Sequence, residues 1–277
     1  MQRTFEETPN SRPEPTALPA TPPSPAADDA GPSGGPGPSG GPGSSGGSVR
    51  WWLAPIALLL GFAFLLWQVK SHGPVTRLDL HLRDGLQRDA LDPSLSWMLR
   101  PGRAMADLGD QTMALSVLFV STILAVRFTR SWLPSLVSVA AVAALLTVIP
   151  LKLWIDRPGP SHSVLGDAAL GYFPSGHTAD ATLCYGTSAL LLCVFVIPLG
   201  PELVSRHRRA LSRTVTAGAA LLVLMTIFGL LWSNFHWLSD TLGSLCWCGA
   251  ALLVLRHYTL TRLVPRAAGR EIRPPRG

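Results

Sequence analysis

Three short polar segments break up an otherwise apolar chain: LKLWIDRPGP (151–160), PSGH (174–177) and SNFHWLSD (233–240). His236 and Asp240 are four residues apart, so on a helical segment they share one face. A carboxylate there fixes the imidazole tautomer and stabilises positive charge on the ring, as the orienting group behind a catalytic histidine does. His177 follows Ser175 and Gly176 at the head of an apolar run. A helix starting there offers unpaired N–H groups and the positive end of its dipole to an anion. Ser175 suits a helix cap or a hydroxyl donor, and Gly176 admits close approach of a ligand to the backbone. Lys152 and Arg157 add positive charge nearby. These residue types together suit phosphate chemistry. Each also has a plainer reading: His177 as a helix-end histidine, His236 with Asp240 as a bond closing a helix bundle, Arg157 as an interfacial arginine.

The elements that must position these residues are membrane helices. About 20 apolar residues at 1.5 Å each cross the roughly 30 Å hydrocarbon layer. Six stretches approach that length: 51–69, 111–128, 132–153, 177–199, 214–232 and 239–256. Backbone groups in lipid must be paired internally, so these stretches are expected to be helices. Trp51, Trp52, Trp67, Trp132, Trp154, Trp232 and Trp237 fall at or near their ends, as an interfacial belt does. The 70–110 segment alternates apolar and polar residues in LDLHLRDGLQ and carries Pro93 and Pro101; it is expected to be interfacial or re-entrant. Its helix content is not fixed by pattern.

Composition agrees with the membrane class. Charged residues make up 14% of the 277-residue chain, against about a quarter in soluble domains. The net charge of +6 does not point to nucleic acid, because the basic residues lie in short groups between apolar spans. Arg127 and Arg130, then Arg206, Arg208, Arg209 and Arg213, fall on one side with both termini. The positive-inside rule makes that side cytoplasmic and turns 154–176 and 233–238 outward. The four cysteines sit inside apolar runs without metal-ligand spacing, which suits small buried side chains.

Residues 1–49 are Pro-, Ser- and Gly-rich and are expected to be a disordered tail. A glycine at every third position of 31–48 meets the collagen period, but six triplets suit a flexible tail better. The expected organisation is thus this tail, a transmembrane domain over 51–256 and a basic tail over 257–277.

PSGH, preceded by a Lys/Arg-Pro segment and followed by HWLSD (236–240), resembles the type 2 phosphatidic acid phosphatase (PAP2) superfamily. That superfamily also holds bacterial lipid phosphatases, glucose-6-phosphatases and vanadium haloperoxidases. The resemblance covers roughly residues 51–256. It implies an all-α, polytopic six-helix bundle with a PAP2/haloperoxidase-like core and its catalytic loops on one side. It implies hydrolysis of a lipid phosphate or diphosphate, such as a polyprenyl diphosphate, phosphatidic acid or phosphatidylglycerol phosphate. By the resemblance His236 is the nucleophile that becomes a phosphohistidine, Asp240 its orienter and His177 the general acid. Lys152, Arg157, Ser175 and Gly176 then surround the phosphate, with no metal or cofactor and the bilayer lipid as partner. Two positions depart from the Lys-x6-Arg-Pro and Ser-Arg-x5-His-x3-Asp patterns. Gly159 stands where the first has arginine, and Gly229 and Leu230 stand for the Ser-Arg pair. Arg157 is the candidate substitute cation. A phosphotransferase using the same residues and a catalytically silent lipid binder are the alternative readings.

Overall fold

Hydropathy decides the long elements, and the residues between them decide where each one stops. The computed structural model describes residues 50–160 and 171–263. The proposed 1–49 tail, His162, Asp167 and residues 264–277 lie outside the described residues.

α1 (Leu53–Lys70) is apolar throughout and closes at a Ser71-His72-Gly73 turn. α2 (Pro74–Leu91) opens with proline at its first position, where no N–H is needed. A short 3₁₀ turn (Pro93–Met98) and α3 (Leu99–Asp107) complete the 70–110 segment, which is therefore mostly helical. Its apolar residues mix with charge at a period that the eye cannot separate from strand alternation.

α4 (Gln111–Thr129) starts at Asp110, whose carboxylate accepts the Thr112 N–H at 2.8 Å. α5 (Leu133–Leu146) and α6 (Val148–Ile155) form one span broken at Thr147. Pro150 cannot donate to the Leu146 carbonyl, which places the break there. The fourth span begins as α7 (Gly176–Asp180) and continues through α8 (Gly186–Leu191), with π turns at Ala181–Tyr185 and Leu192–Val196. α9 (Glu202–Trp232) and α10 (Leu238–Tyr258) follow, the latter ending in a π turn, Thr259–Leu263. The last helical stretch thus runs beyond residue 256, where the basic tail was expected to begin.

Among the described residues six helical stretches are long and apolar enough to cross a membrane. They overlap the six stretches expected from sequence. The fourth is the central one: 61% of its most apolar window is buried, against 17–39% for the others. Ala114 and Ala125 of α4 and Val137 of α5 pack around it, against Ala181 within it, all with almost no exposure. Small residues suit this role, because helices in lipid associate by close packing more than by hydrophobic drive.

The tryptophan belt is incomplete. Trp51, Trp52, Trp67, Trp132 and Trp154 are exposed. Trp232 instead lies buried against Gly102 of α3, and Trp237 belongs to the site described next.

Candidate active site

The three polar segments converge at one end of the bundle. α10 begins there, and its first turn is closed by Asp240, which accepts the Trp237 N–H at 3.2 Å. The same carboxylate oxygen lies 3.3 Å from Nδ1 of His236. With Nδ1 carrying the proton, Nε2 of His236 keeps its lone pair. Both side chains are almost fully enclosed.

Arg157, just past the end of α6, reaches the other oxygen of Asp240 at 2.5 Å. It also donates to Ser239 Oγ at 2.7 Å and to Asp79 at 2.8 Å. Asp79 comes from α2, is 2% exposed, and accepts the Ser239 N–H at 2.9 Å and the Ser239 hydroxyl at 2.5 Å. One guanidinium is therefore shared by two buried carboxylates. Its face stacks over Trp237, whose indole N–H donates to the Pro158 carbonyl at 2.9 Å. Arg157 was expected beside a phosphate; in the structure its guanidinium is bonded to Asp79, Ser239 and Asp240.

The PSGH segment is held against α10 from both sides. Ser175 N–H donates to the Asp240 carbonyl at 3.1 Å, and Ser244 Oγ donates to the Ser175 carbonyl at 2.6 Å. Phe173, with no exposure, anchors the segment against Phe62. Ser175 caps α7: its Oγ accepts from Thr178 N–H and lies 3.2 Å from Thr178 Oγ1. Lys152 Nζ stands 3.6 Å from where a Cβ on Gly176 would lie. This puts an ammonium at the start of α7, beside the helix-start donors that no intrahelical carbonyl can reach.

His177, in the first turn of α7, faces His236, the two ring centroids 6.4 Å apart. Asp110 at the head of α4 interacts with His177. The Thr112 N–H holds the Asp110 carboxyl below its ordinary range, and the nearby histidine lowers it further. Asp180, one turn on from His177, has Asp110 and Lys152 as neighbouring charges.

The departure at Gly229 and Leu230 sits at a close helix crossing. A Cβ on Gly229 would stand 2.2 Å from the Ala106 nitrogen, so α9 and α3 cross too closely there for any side chain. Leu230 is fully buried. Asn234, in the left-handed region at φ 56°, has a buried Oδ1 without a partner among the described residues. It lines a cavity of about 10 Å³ with Asp79 and His236, about the room one water needs.

Of the seven candidate residues, His236 and Asp240 pair with each other, His177 faces His236, Ser175 bonds to Asp240, Lys152 stands by Gly176, and Arg157 pairs with Asp240. Sequence reasoning missed Asp79, Ser239 and Tyr172, the last of which sits edge-on to His236 at 5.4 Å. Their only signal was proximity to a motif or, for Asp79, a charge within an apolar alternation. Among the described residues no group of three or more His, Cys, Asp or Glu side chains is placed to hold a metal.

A family model described as the PAP2 superfamily matches residues 131–263. A crystal structure of a transmembrane PAP2-type phosphatidylglycerolphosphate phosphatase from Bacillus subtilis superposes with a TM-score of 0.59. It covers 80% of this chain and 99% of its own, at 20% identity. The fold is PAP2-like. No curated protein sequence matches the chain. In this PAP2-like fold, α6, α7 and α10 bring the three polar segments to one end of a multi-pass membrane bundle. α2 adds a buried aspartate to them.

Proposed function

We propose that this chain is a membrane phosphatase that hydrolyses a lipid phosphate or diphosphate through a phosphohistidine intermediate. The observation that carries the reading is the arrangement of His236, backed by Asp240 at Nδ1, opposite His177. Nε2 of His236 attacks phosphorus, forming a P–N bond as the bond from phosphorus to the lipid-side oxygen breaks. His177 donates its proton to that leaving oxygen. Water then attacks the phosphohistidine, His177 takes up a proton from it, and inorganic phosphate leaves as His236 is restored. Phosphoryl transfer demands little beyond positioning and charge stabilisation. Lys152, the Ser175 hydroxyl and the Gly176 N–H are proposed to supply these around the phosphate oxygens. Arg157 is proposed as a positioning residue that holds Asp240.

The site lies at the ends of α1, α6 and α9, opposite the exposed Arg127, Arg130, Arg208 and Arg209. By the positive-inside rule this supports an outward-facing site with both termini cytoplasmic. The membrane-embedded position supports a lipid as the phosphate carrier.

The test is phosphate release by detergent-solubilised full-length protein across a panel of lipid phosphates and diphosphates. His236→Ala should abolish release and His177→Ala should lower it by about 10²–10⁴, and acid-labile protein-bound phosphate should disappear with His236. Retained turnover in both variants would falsify the reading.

A further inference from the structure

The position that lacks the motif arginine is not an empty gap. A Cβ built on Gly159 would stand 2.5 Å from Cζ of Tyr172 and within 2.8 Å of both adjoining ring carbons. The phenol end of Tyr172 therefore fills the volume that a side chain at 159 would enter. The same ring presents itself edge-on to His236, with centroids 5.4 Å apart. Its backbone is pinned to the end of α6, because the Tyr172 N–H donates to the Arg157 carbonyl at 2.9 Å. Gly171, at φ 60°, lets the chain turn in against Lys152 and Asp156, where a Cβ would come within 2.9 Å of both.

We infer that Tyr172 is a specificity-determining residue that stands in for the side chain absent at 159. It lines the phosphate space beside His236 with a neutral hydroxyl in place of a cation. The inference rests on the phosphatase reading and deepens it by naming the substrate class. Arg157 does not restore the lost charge, since Asp79 and Asp240 already share it. A diphosphate ester carries more negative charge than a monophosphate ester and needs more positive charge around it. A site walled by Tyr172 therefore favours a lipid monophosphate over a lipid diphosphate. Tyr172 and Gly159 act as a pair, because an arginine at 159 fits only when the ring is gone.

Steady-state phosphate release by the full chain in detergent tests this, with phosphatidic acid as the monophosphate and farnesyl diphosphate as the diphosphate. Tyr172→Phe keeps the ring and removes the hydroxyl. It should raise KM for phosphatidic acid about threefold to tenfold with little change in kcat, the worth of one neutral hydrogen bond. Gly159→Arg alone should impair both substrates through the clash. Gly159→Arg combined with Tyr172→Ala should move the kcat/KM ratio toward the diphosphate by about tenfold or more, the worth of a charged hydrogen bond. A wild-type ratio in the double variant, or a wild-type KM in Tyr172→Phe, overturns the inference and leaves the phosphatase reading standing. A wild-type protein inactive on every lipid phosphate removes that reading, and this inference with it.

Discussion

At one end of the bundle Arg157 is enclosed by Asp79, Asp240 and Ser239, groups drawn from two other helices. At the other end Arg127, Arg130, Arg208, Arg209 and Arg213 are exposed and form no ion pair with a described residue. The same side chain serves two physical purposes. In water it costs little and biases which way a helix bundle faces. Enclosed, it must be matched by carboxylates and hydrogen bonds or it destabilises the fold. Chemistry in a membrane protein is therefore to be sought at the charges the chain buries rather than at the ones it displays.

The comparison breaks if the enclosed end can be altered without consequence. The largest effect is expected at His236 and His177. His236→Ala should reduce turnover to background, and His177→Ala should lower kcat by about 10²–10⁴, the usual worth of a positioned general acid. Next comes Arg157→Ala, which leaves two buried carboxylates facing each other. It should cost about 3–5 kcal/mol of stability, read as a drop in thermal midpoint in detergent, with turnover falling as Asp240 loses its support.

Asp79→Asn keeps the shape and removes one charge. It should cost less, about 1–3 kcal/mol, and reduce kcat more than it changes KM. Asp110→Ala removes a helix cap at about 1 kcal/mol. The folded-state value of the Asp110 carboxyl is depressed, so its contribution is present above the ordinary carboxylate range. It fades as pH falls through the folded value, and thermal melts of wild type and variant should converge there. Arg208→Ala with Arg209→Ala, at the displayed end, should leave turnover of the purified protein unchanged. A loss of turnover comparable to that of Arg157→Ala would erase the distinction between the two ends.

The six spans were legible because lipid imposes length and hydropathy directly on sequence. The meeting of His177, His236 and Asp240 was legible because their motifs fall at span ends on the same side of the bundle. Asp79 was not, since it lies 78 residues before the arginine it meets and carries no motif. Its partner was visible, but as a free cation rather than a committed one, because ion pairing is a property of helix packing. The packing of Tyr172 on Gly159 was hidden for the same reason: a missing side chain says nothing about what moves into its place. Trp232 was misplaced because a helix-end tryptophan facing lipid and one facing α3 read alike in sequence.

Two carboxylates share one guanidinium. As ionised groups, Asp79, Arg157 and Asp240 together carry one negative charge more than positive, and their side chains are almost fully enclosed. A neutral imidazole beside them leaves that surplus standing. On the phosphohistidine route proposed above, the ring of His236 gains positive charge beside this surplus when Nε2 is phosphorylated and Nδ1 keeps its proton. An aspartate from α2, far from any motif, thus sets the sign of the charge behind His236.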